Sequence, residues 1–236
     1  QGESAEQFGA IEDVIALRDG GLAVLDGQSA EVRFFDSFGQ FQGAVGGKGD
    51  GPGEFQAPVT LAQLPGDTIA VFDPALKRVT RFGPDRAAPR VTTLQDAEMF
   101  MTDARFLGDG RLVGQSHWLA PGGGASPSAE PVLVRDTVVL TLFDAEGRVA
   151  DTMDIVPGRE EIVSIRLSPG AVSVRKRPAV FARANLFAPG ADGLWSSPND
   201  RFELRLRELD SGRLVRIVRL PGFERSATSE MARTIH

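Results

Sequence analysis

The sequence predicts an all-β fold, a β-propeller built from four-stranded antiparallel blades. Two segments, 22–36 and 69–83, align without a gap at an offset of 47 residues. Each repeat carries four short apolar runs separated by turn residues, and nothing before the C-terminus keeps the 3.6-residue period of a helix. Four strands in a repeat of roughly 40–50 residues is the period of a propeller blade.

The first repeat shows how the strands are predicted. Its four apolar runs lie at residues 14–17, 22–25, 32–35 and 41–45. Asp26 and the equivalent Asp73 follow the second run, where an aspartate accepts backbone hydrogen bonds and favours a turn. Ser116 stands at this position in the third repeat, so a calcium-binding ring of carboxylates would be interrupted there. We therefore interpret both aspartates as turn residues, and we expect no metal ligands and no cofactor.

The repeats divide the chain into four blades within a single domain, residues 1–236. We place the blades at about 10–47, 56–95, 99–158 and 161–222. In the remaining segment, 223–236, serine and threonine precede a glutamate, which is typical of a helix start. The sequence therefore predicts that a C-terminal helix begins after the fourth blade.

Three loops stand out from the repeat pattern. They are the glycine-rich connector 46–58, the Gly/Pro/Ser-rich insertion 118–134 and a β-hairpin at 161–177 placed ahead of the fourth blade. In a propeller, loops between second and third strands emerge on the same face as the connectors between blades. We therefore expect these three segments to share one face and to form the binding surface.

The connector 46–58 also invites comparison with a phosphate-binding loop. Lys48 is flanked by glycines, but Gly49 follows it where such a loop needs serine or threonine, and a strand comes next instead of a helix. We interpret the glycines as residues that turn the chain, with Phe55 and Pro58 packing between blades.

This connector and the strands after it carry a family resemblance. GGKGDGPGEFQAP at 46–58, followed by IAVFDPALKRVTRF at 69–82, resembles the NHL-type repeat. More narrowly, the chain is similar to secreted bacterial six-bladed β-propeller proteins, in which a segment like 188–222 is followed by a short helix and two further blades. The resemblance implies the first four blades of a six-bladed propeller in an extracytoplasmic location; a closed four-bladed propeller is the alternative.

Composition narrows the classes of partner. The formal net charge of −6 disfavours non-specific binding to nucleic acid or to an anionic membrane. No apolar run approaches the roughly 20 residues of a membrane span. The chain opens on polar residues without methionine, so we expect that a secretion signal has been removed. A periplasmic, outer-surface or secreted location follows as an expectation.

The candidate binding residues lie mainly beside the unusual loops. Besides Lys48, they are His117 and Trp118 at the base of the insertion, and the basic residues of the hairpin: Arg166, Arg175, Lys176 and Arg177. The pair at the insertion is also interpretable as a packing anchor. The basic residues are typical of a solvated strand edge or of a docking site for an acidic partner or a polyanionic surface.

Two functions remain open at this point. The first is a non-enzymatic binding or scaffold module that engages another protein or an envelope component, as a subunit of a larger assembly. The alternative is a calcium-dependent enzyme, since relatives of NHL-type propellers include amidating lyases and lactonases. Only His117 and His236 are available as histidine ligands, and no G-x-S-x-G motif is present. We expect no catalytic residues.

Overall fold

The computed structural model describes residues 7–95, 100–117, 130–168, 171–180 and 182–222. Within these ranges the chain is nearly all-β, with four antiparallel sheets formed by strands that follow one another in sequence. This is the blade topology of a β-propeller, so the predicted fold class is confirmed. Trp118, most of the insertion 118–134 and the helix predicted at 223–236 lie outside the described residues. None of the described helices is long and apolar enough to span a membrane.

The first two sheets each have four strands in chain order. The first contains β1 (Ile11–Ala16), β2 (Leu22–Asp26), β3 (Glu31–Phe35) and β4 (Phe41–Gly46). The second contains β5 (Thr60–Leu64), β6 (Thr68–Asp73), β7 (Arg78–Phe82) and β8 (Arg90–Thr93). The apolar runs of the first repeat coincide with its strands to within about three residues, and the inner strands β2 and β3 are buried almost throughout, which leaves continuous apolar runs in the sequence.

The third sheet differs from the prediction. It has five strands: β9 (Phe100–Phe106), β10 (Leu112–His117), β11 (Val132–Phe143), β12 (Val149–Ser168) and β13 (Ala171–Pro178). The hairpin expected at 161–177 forms, but it belongs to this sheet and not to the fourth blade. Its first strand is a continuation of β12, which runs through Pro157 and Gly158 without ending.

The fourth sheet therefore begins later than the sequence pattern predicted. It contains β14 (Leu186–Gly190), β15 (Gly193–Ser197), β16 (Glu203–Arg207) and β17 (Leu214–Arg219), in chain order. Like the first two sheets, it consists of four short antiparallel strands.

The chain forms two compact units. The first comprises Gln1–Gln115 and Thr141–Ala150, and the second comprises Ser116–Leu140 and Asp151–His236. In the first unit, residues of the first and second sheets share one apolar cluster, which includes Phe34, Leu61 and Val71 together with Phe55 of the connector. In the second unit, Val138, Met153 and Leu194 are among the buried apolar side chains.

Asp26 and Asp73 perform the same task in successive repeats. Asp26 accepts hydrogen bonds from the N–H groups of Gln28, just ahead of it, and of Gly9 and Ala10, which lead into β1. Burial alone would raise the pKa of Asp26, but these backbone donors hold it below its ordinary value. Asp73 likewise accepts from residues 75 and 76 ahead of it and from residues 56 and 57 of the connector. Each aspartate stabilises a turn, as interpreted from the sequence, and also fixes the segment entering its own sheet.

Candidate functional site

The most exposed elaboration of the second unit is the hairpin formed by the end of β12 and by β13. We call residues 161–168 and 171–178 the hairpin arm. Its two strands pair continuously from Glu161 opposite Pro178 to Ser168 opposite Ala171. Residues that lie directly opposite each other in an antiparallel pair point to the same face of the sheet. This register places residues 161–166 and 173–178 of the arm alternately on two faces.

Three arginines share one face of the hairpin arm. Arg166 lies opposite Ser173, Arg175 lies opposite Ser164, and Arg177 lies opposite Ile162. We call these three residues the arginine face. All three are exposed, and within the described part of the chain none of their side chains forms an ion pair or a hydrogen bond. Unpaired guanidinium groups on one surface can bind the carboxylate, phosphate or sulfate groups of a partner.

Lys176 does not belong to this surface. It lies opposite Val163 and so points to the other face of the arm. There its Nζ atom is 3.6 Å from Oε2 of Glu161. The basic run 175–177 that stood out in the sequence is thus divided between two faces, with the arginines on one side and a paired lysine on the other.

His117 lies at the end of β10, in a pair that the sequence did not indicate. Its Nδ1–H donates to Oδ2 of Asp136 in β11 at 2.6 Å, and both side chains are about four-fifths buried. The other carboxylate oxygen, Oδ1, is buried and has no hydrogen-bond partner among the described residues. A Cβ atom at Gly158 would lie 2.3 Å from that oxygen, so glycine is required for this close approach. The pair orients the imidazole, as a carboxylate does in many histidine sites.

Two arginines cross-link the base of the hairpin arm through hydrogen bonds and ion pairs. The Arg135 Nε and Nη2 groups donate to the carbonyls of Gly158 and Pro198, at 2.9 and 2.6 Å, and its guanidinium pairs with Asp200. Arg183 donates from its side chain and its backbone to Glu160, at 2.6 and 2.9 Å. The hydrogen bond from the Arg183 side chain holds the pKa of Glu160 below its ordinary value. The arm therefore extends from a cross-linked base.

Lys48 lies in a connector that is closed on itself. The Gly47 and Gly49 N–H groups donate to the carbonyls of Ala30 and Phe55, at 2.7 and 3.1 Å. The Gly51 N–H donates to Oε2 of Glu54 at 2.8 Å. Because these backbone donors are already occupied, they cannot cradle a phosphate, which agrees with the interpretation of this loop as a connector. Lys48 itself is exposed and lies in the first unit.

Arg78 also holds the connector, through hydrogen bonds from its side chain. Its guanidinium donates to the carbonyls of Asp50, Gly51 and Glu54, at 2.8, 2.7 and 2.6 Å. The glycines at 46, 47, 49 and 53 have positive φ angles that other residues rarely adopt. Across the described ranges, no three His, Cys, Asp or Glu side chains are grouped so as to hold a metal ion.

No protein-family model matches the chain, and no curated protein matches it either. Similar solved structures include a protein of unknown function from Bacteroides caccae, with 18% identity, a TM-score of 0.41 and coverage of 59% of this chain and 47% of that one. A candidate exported protein from Bacteroides fragilis has 13% identity, a TM-score of 0.47 and coverage of 91% and 72%.

A third similar structure is virginiamycin B lyase from Staphylococcus aureus, with 10% identity, a TM-score of 0.46 and coverage of 92% and 72%. The chain thus spans about half of the first of these proteins and 72% of the other two. At such identities and scores the likenesses carry no conclusion about activity, and the fold assignment depends on the sheets themselves. Membership of the NHL-type family stays a prediction.

Proposed function

We propose that this chain is a non-enzymatic binding or scaffold β-propeller of the bacterial envelope or exterior, and that its hairpin arm engages a partner protein. The arginine face carries the proposal. Most other arginines of the described ranges are satisfied by a carboxylate, a carbonyl or an aromatic ring, as Arg135 and Arg183 are. Arg166, Arg175 and Arg177 instead stay exposed together on an acidic protein, at a cost in self-repulsion that an acidic partner would remove.

The connector 46–58 and the insertion 118–134 complete the proposed binding surface. We propose that Lys48 and Trp118, the candidate residues of these two segments, contribute to binding. His117, held by Asp136 at the end of β10, would position the first residues of the insertion. The extracytoplasmic location is supported by the resemblance to secreted six-bladed proteins.

Capture of partners from an envelope extract tests this function. The triple variant Arg166→Gln/Arg175→Gln/Arg177→Gln removes the arginine face, whereas Lys176→Gln makes the same change on the opposite face. We expect the triple variant to lose proteins that the unchanged protein and Lys176→Gln both retain after chemical cross-linking. Equal capture by all three proteins would contradict a role for the arginine face.

We also propose that the chain is a single domain whose fourth sheet packs against a further blade. Leu186, Leu204 and Val218 point to one face of this sheet and are 59%, 38% and 40% exposed. On the corresponding face of the first sheet, Ala23 and Leu25 are fully buried in the cluster shared with the second sheet. The intact mass of the natural protein tests this arrangement: a mass larger than 25.2 kDa by about two blades supports it, and 25.2 kDa contradicts it.

A further inference from the structure

We infer that β13 accepts an added strand from the partner protein, and that this strand alternates acidic with apolar residues. The inference rests on the proposed function, because it specifies the partner that the hairpin arm would bind. Addition of an extended segment to an exposed sheet edge is a common mode of peptide recognition, in which backbone hydrogen bonds supply affinity and alternate side chains supply specificity.

The first observation is the position of β13 in its sheet. The strand order is β13-β12-β11-β10-β9, so β13 is an edge strand with β12 as its one neighbour among the described strands. Residues 173–178 are all exposed. An edge strand leaves alternate backbone N–H and C=O groups without a ladder partner, which is the template that an added strand requires.

The second observation is that the two faces of the arm differ in chemistry. One face carries Arg166, Arg175 and Arg177. The other carries Val174, which is 54% exposed, opposite Ile165, and then Lys176, which is paired with Glu161. Side chains of an added strand would alternate between these faces. Acidic residues would therefore meet the arginines, and apolar residues would extend the Val174–Ile165 pair.

The third observation separates β13 from another edge strand of the same unit. β17 also lies at a sheet edge and also carries apolar residues together with two arginines. Its Arg219, however, donates to buried Glu203 at 2.7 Å. Arg216, the other arginine of β17, lies on the opposite face of the sheet, so β17 does not present two unpaired arginines on one face. Only the β13 edge combines a free backbone with a set of unpaired arginines in the described part of the chain.

These features favour a peptide over a polyanionic glycan. A sulfated polysaccharide would need the positive charges alone, in any arrangement, and would gain nothing from a backbone edge or from the apolar pair on the opposite face. An extended peptide uses all three features together. The order of residues in the ligand is therefore the property that distinguishes the two partner classes.

The test uses a capped peptide that matches the eight residues of β13 and alternates Glu with Val. Binding to the full-length protein is measured by fluorescence anisotropy, and amide hydrogen exchange is followed at residues 173–178. We expect the peptide to bind and to slow exchange along β13. The variant Arg175→Gln/Arg177→Gln should bind about tenfold more weakly, whereas Lys176→Gln should stay within about threefold of the unchanged protein.

Three control ligands make the outcome decisive. One has the same composition in two blocks, with the glutamates first and the valines second; another keeps the alternating order but is methylated at each backbone nitrogen. The third is heparin. Binding of the block or the methylated peptide as tight as that of the alternating peptide would overturn strand addition. Heparin binding that exceeds peptide binding would also overturn it, in favour of a glycan.

Failure of this inference differs from failure of the proposed function. If no peptide binds but the arginine variants still lose their captured proteins from the envelope extract, strand addition is wrong and the binding role of the arginine face stands. If capture is also unaffected by the arginine variants, both proposals fail. Circular dichroism of each variant, compared with that of Lys176→Gln, excludes loss of folding as the cause.

Discussion

The connector 46–58 and the hairpin arm are both conspicuous in the sequence, but the structure gives them opposite roles. The connector folds inward: the N–H groups of Gly47, Gly49 and Gly51 are bonded within the chain, three of its carbonyls are bound by Arg78, and Phe55 is fully buried. The arm is exposed, and the side chains of its three arginines have no partner in the described structure. Glycine and lysine at close spacing therefore indicate a structural joint here, while the basic run lies on an exposed edge strand, where we propose binding.

The largest expected effect tests the inward-facing connector. Phe55→Ala removes a fully buried ring that contacts Phe82, with ring centroids 6.3 Å apart. We expect the free energy of unfolding to fall by about 3–5 kcal/mol, because a cavity replaces the ring. Urea unfolding measures the change. Phe38→Ala is the control, since that side chain is 88% exposed and should change stability by less than about 0.5 kcal/mol. Similar values for the two variants would refute the difference in packing.

The second test concerns the clamp on the connector. Arg78→Met keeps the length of the side chain but removes the donors to the carbonyls of Asp50, Gly51 and Glu54. We expect a loss of about 2–3 kcal/mol, because charged hydrogen bonds disappear and part-buried carbonyls lose their donors. Arg90→Met is the control, since Arg90 is exposed on β8. An Arg78 variant as stable as the Arg90 variant would contradict the clamp.

The third test uses the pH dependence of stability to examine Glu203, a buried carboxylate that is paired with arginines. Hydrogen bonds and charge from Arg219, Arg205 and Arg201 hold the pKa of buried Glu203 at about 2. Because its pKa is lower in the folded state, Glu203 stabilises the fold fully above about pH 4.5, and that stabilisation is lost as the pH falls towards 2.

Glu203→Gln should therefore lower the free energy of unfolding at pH 7 by about 1–2 kcal/mol, discounted because the arginines are partly exposed. Thermal melts of the unchanged protein should show a fall in stability between pH 4.5 and 2. The same fall should be smaller in the Glu203→Gln variant. Parallel pH profiles for the two proteins would contradict the assignment of this decline to Glu203.

The smallest expected effect on stability concerns the arginine face of the hairpin arm. Arg166→Gln/Arg175→Gln/Arg177→Gln should change the free energy of unfolding by less than about 0.5 kcal/mol, since these residues make no ion pair that the change could break. Thermal unfolding in low salt measures this difference. A loss above about 1 kcal/mol would mean that the arginines support the fold, which would weaken the case for a binding surface.

Local patterns predicted the parts of the fold that depend on local interactions. Short apolar runs between turn residues predicted the strands, and Asp26 and Asp73 predicted turns, because an aspartate bonds to backbone groups only a few residues away. The division of the run 175–177 between two faces was also accessible from the sequence. Arg175 and Arg177 are two residues apart, and Lys176 lies between them, so alternation alone separates them.

Long-range contacts explain what the sequence did not indicate. Pro157 and Gly158 resemble a break in β12, but the strand continues there, with the Gly158 carbonyl bound by Arg135 from another strand. His117 and Asp136 meet across the insertion, 19 residues apart, and no spacing rule connects them. The hairpin arm was therefore assigned to the wrong blade, and the partner of His117 was missed.

The unbroken course of β12 also constrains how this protein can diverge. Blade and arm share one strand of 20 residues, so the register of the arm is inherited from the blade. Side chains alternate with a period of two, so gain or loss of a single residue within β13, between Ala171 and Arg175, would move its arginines to the opposite face if the pairing of Ser168 with Ala171 is kept. Changes of two residues would preserve the surface. Related chains that keep the same ligand should therefore gain or lose residues between Ala171 and Arg175 in pairs.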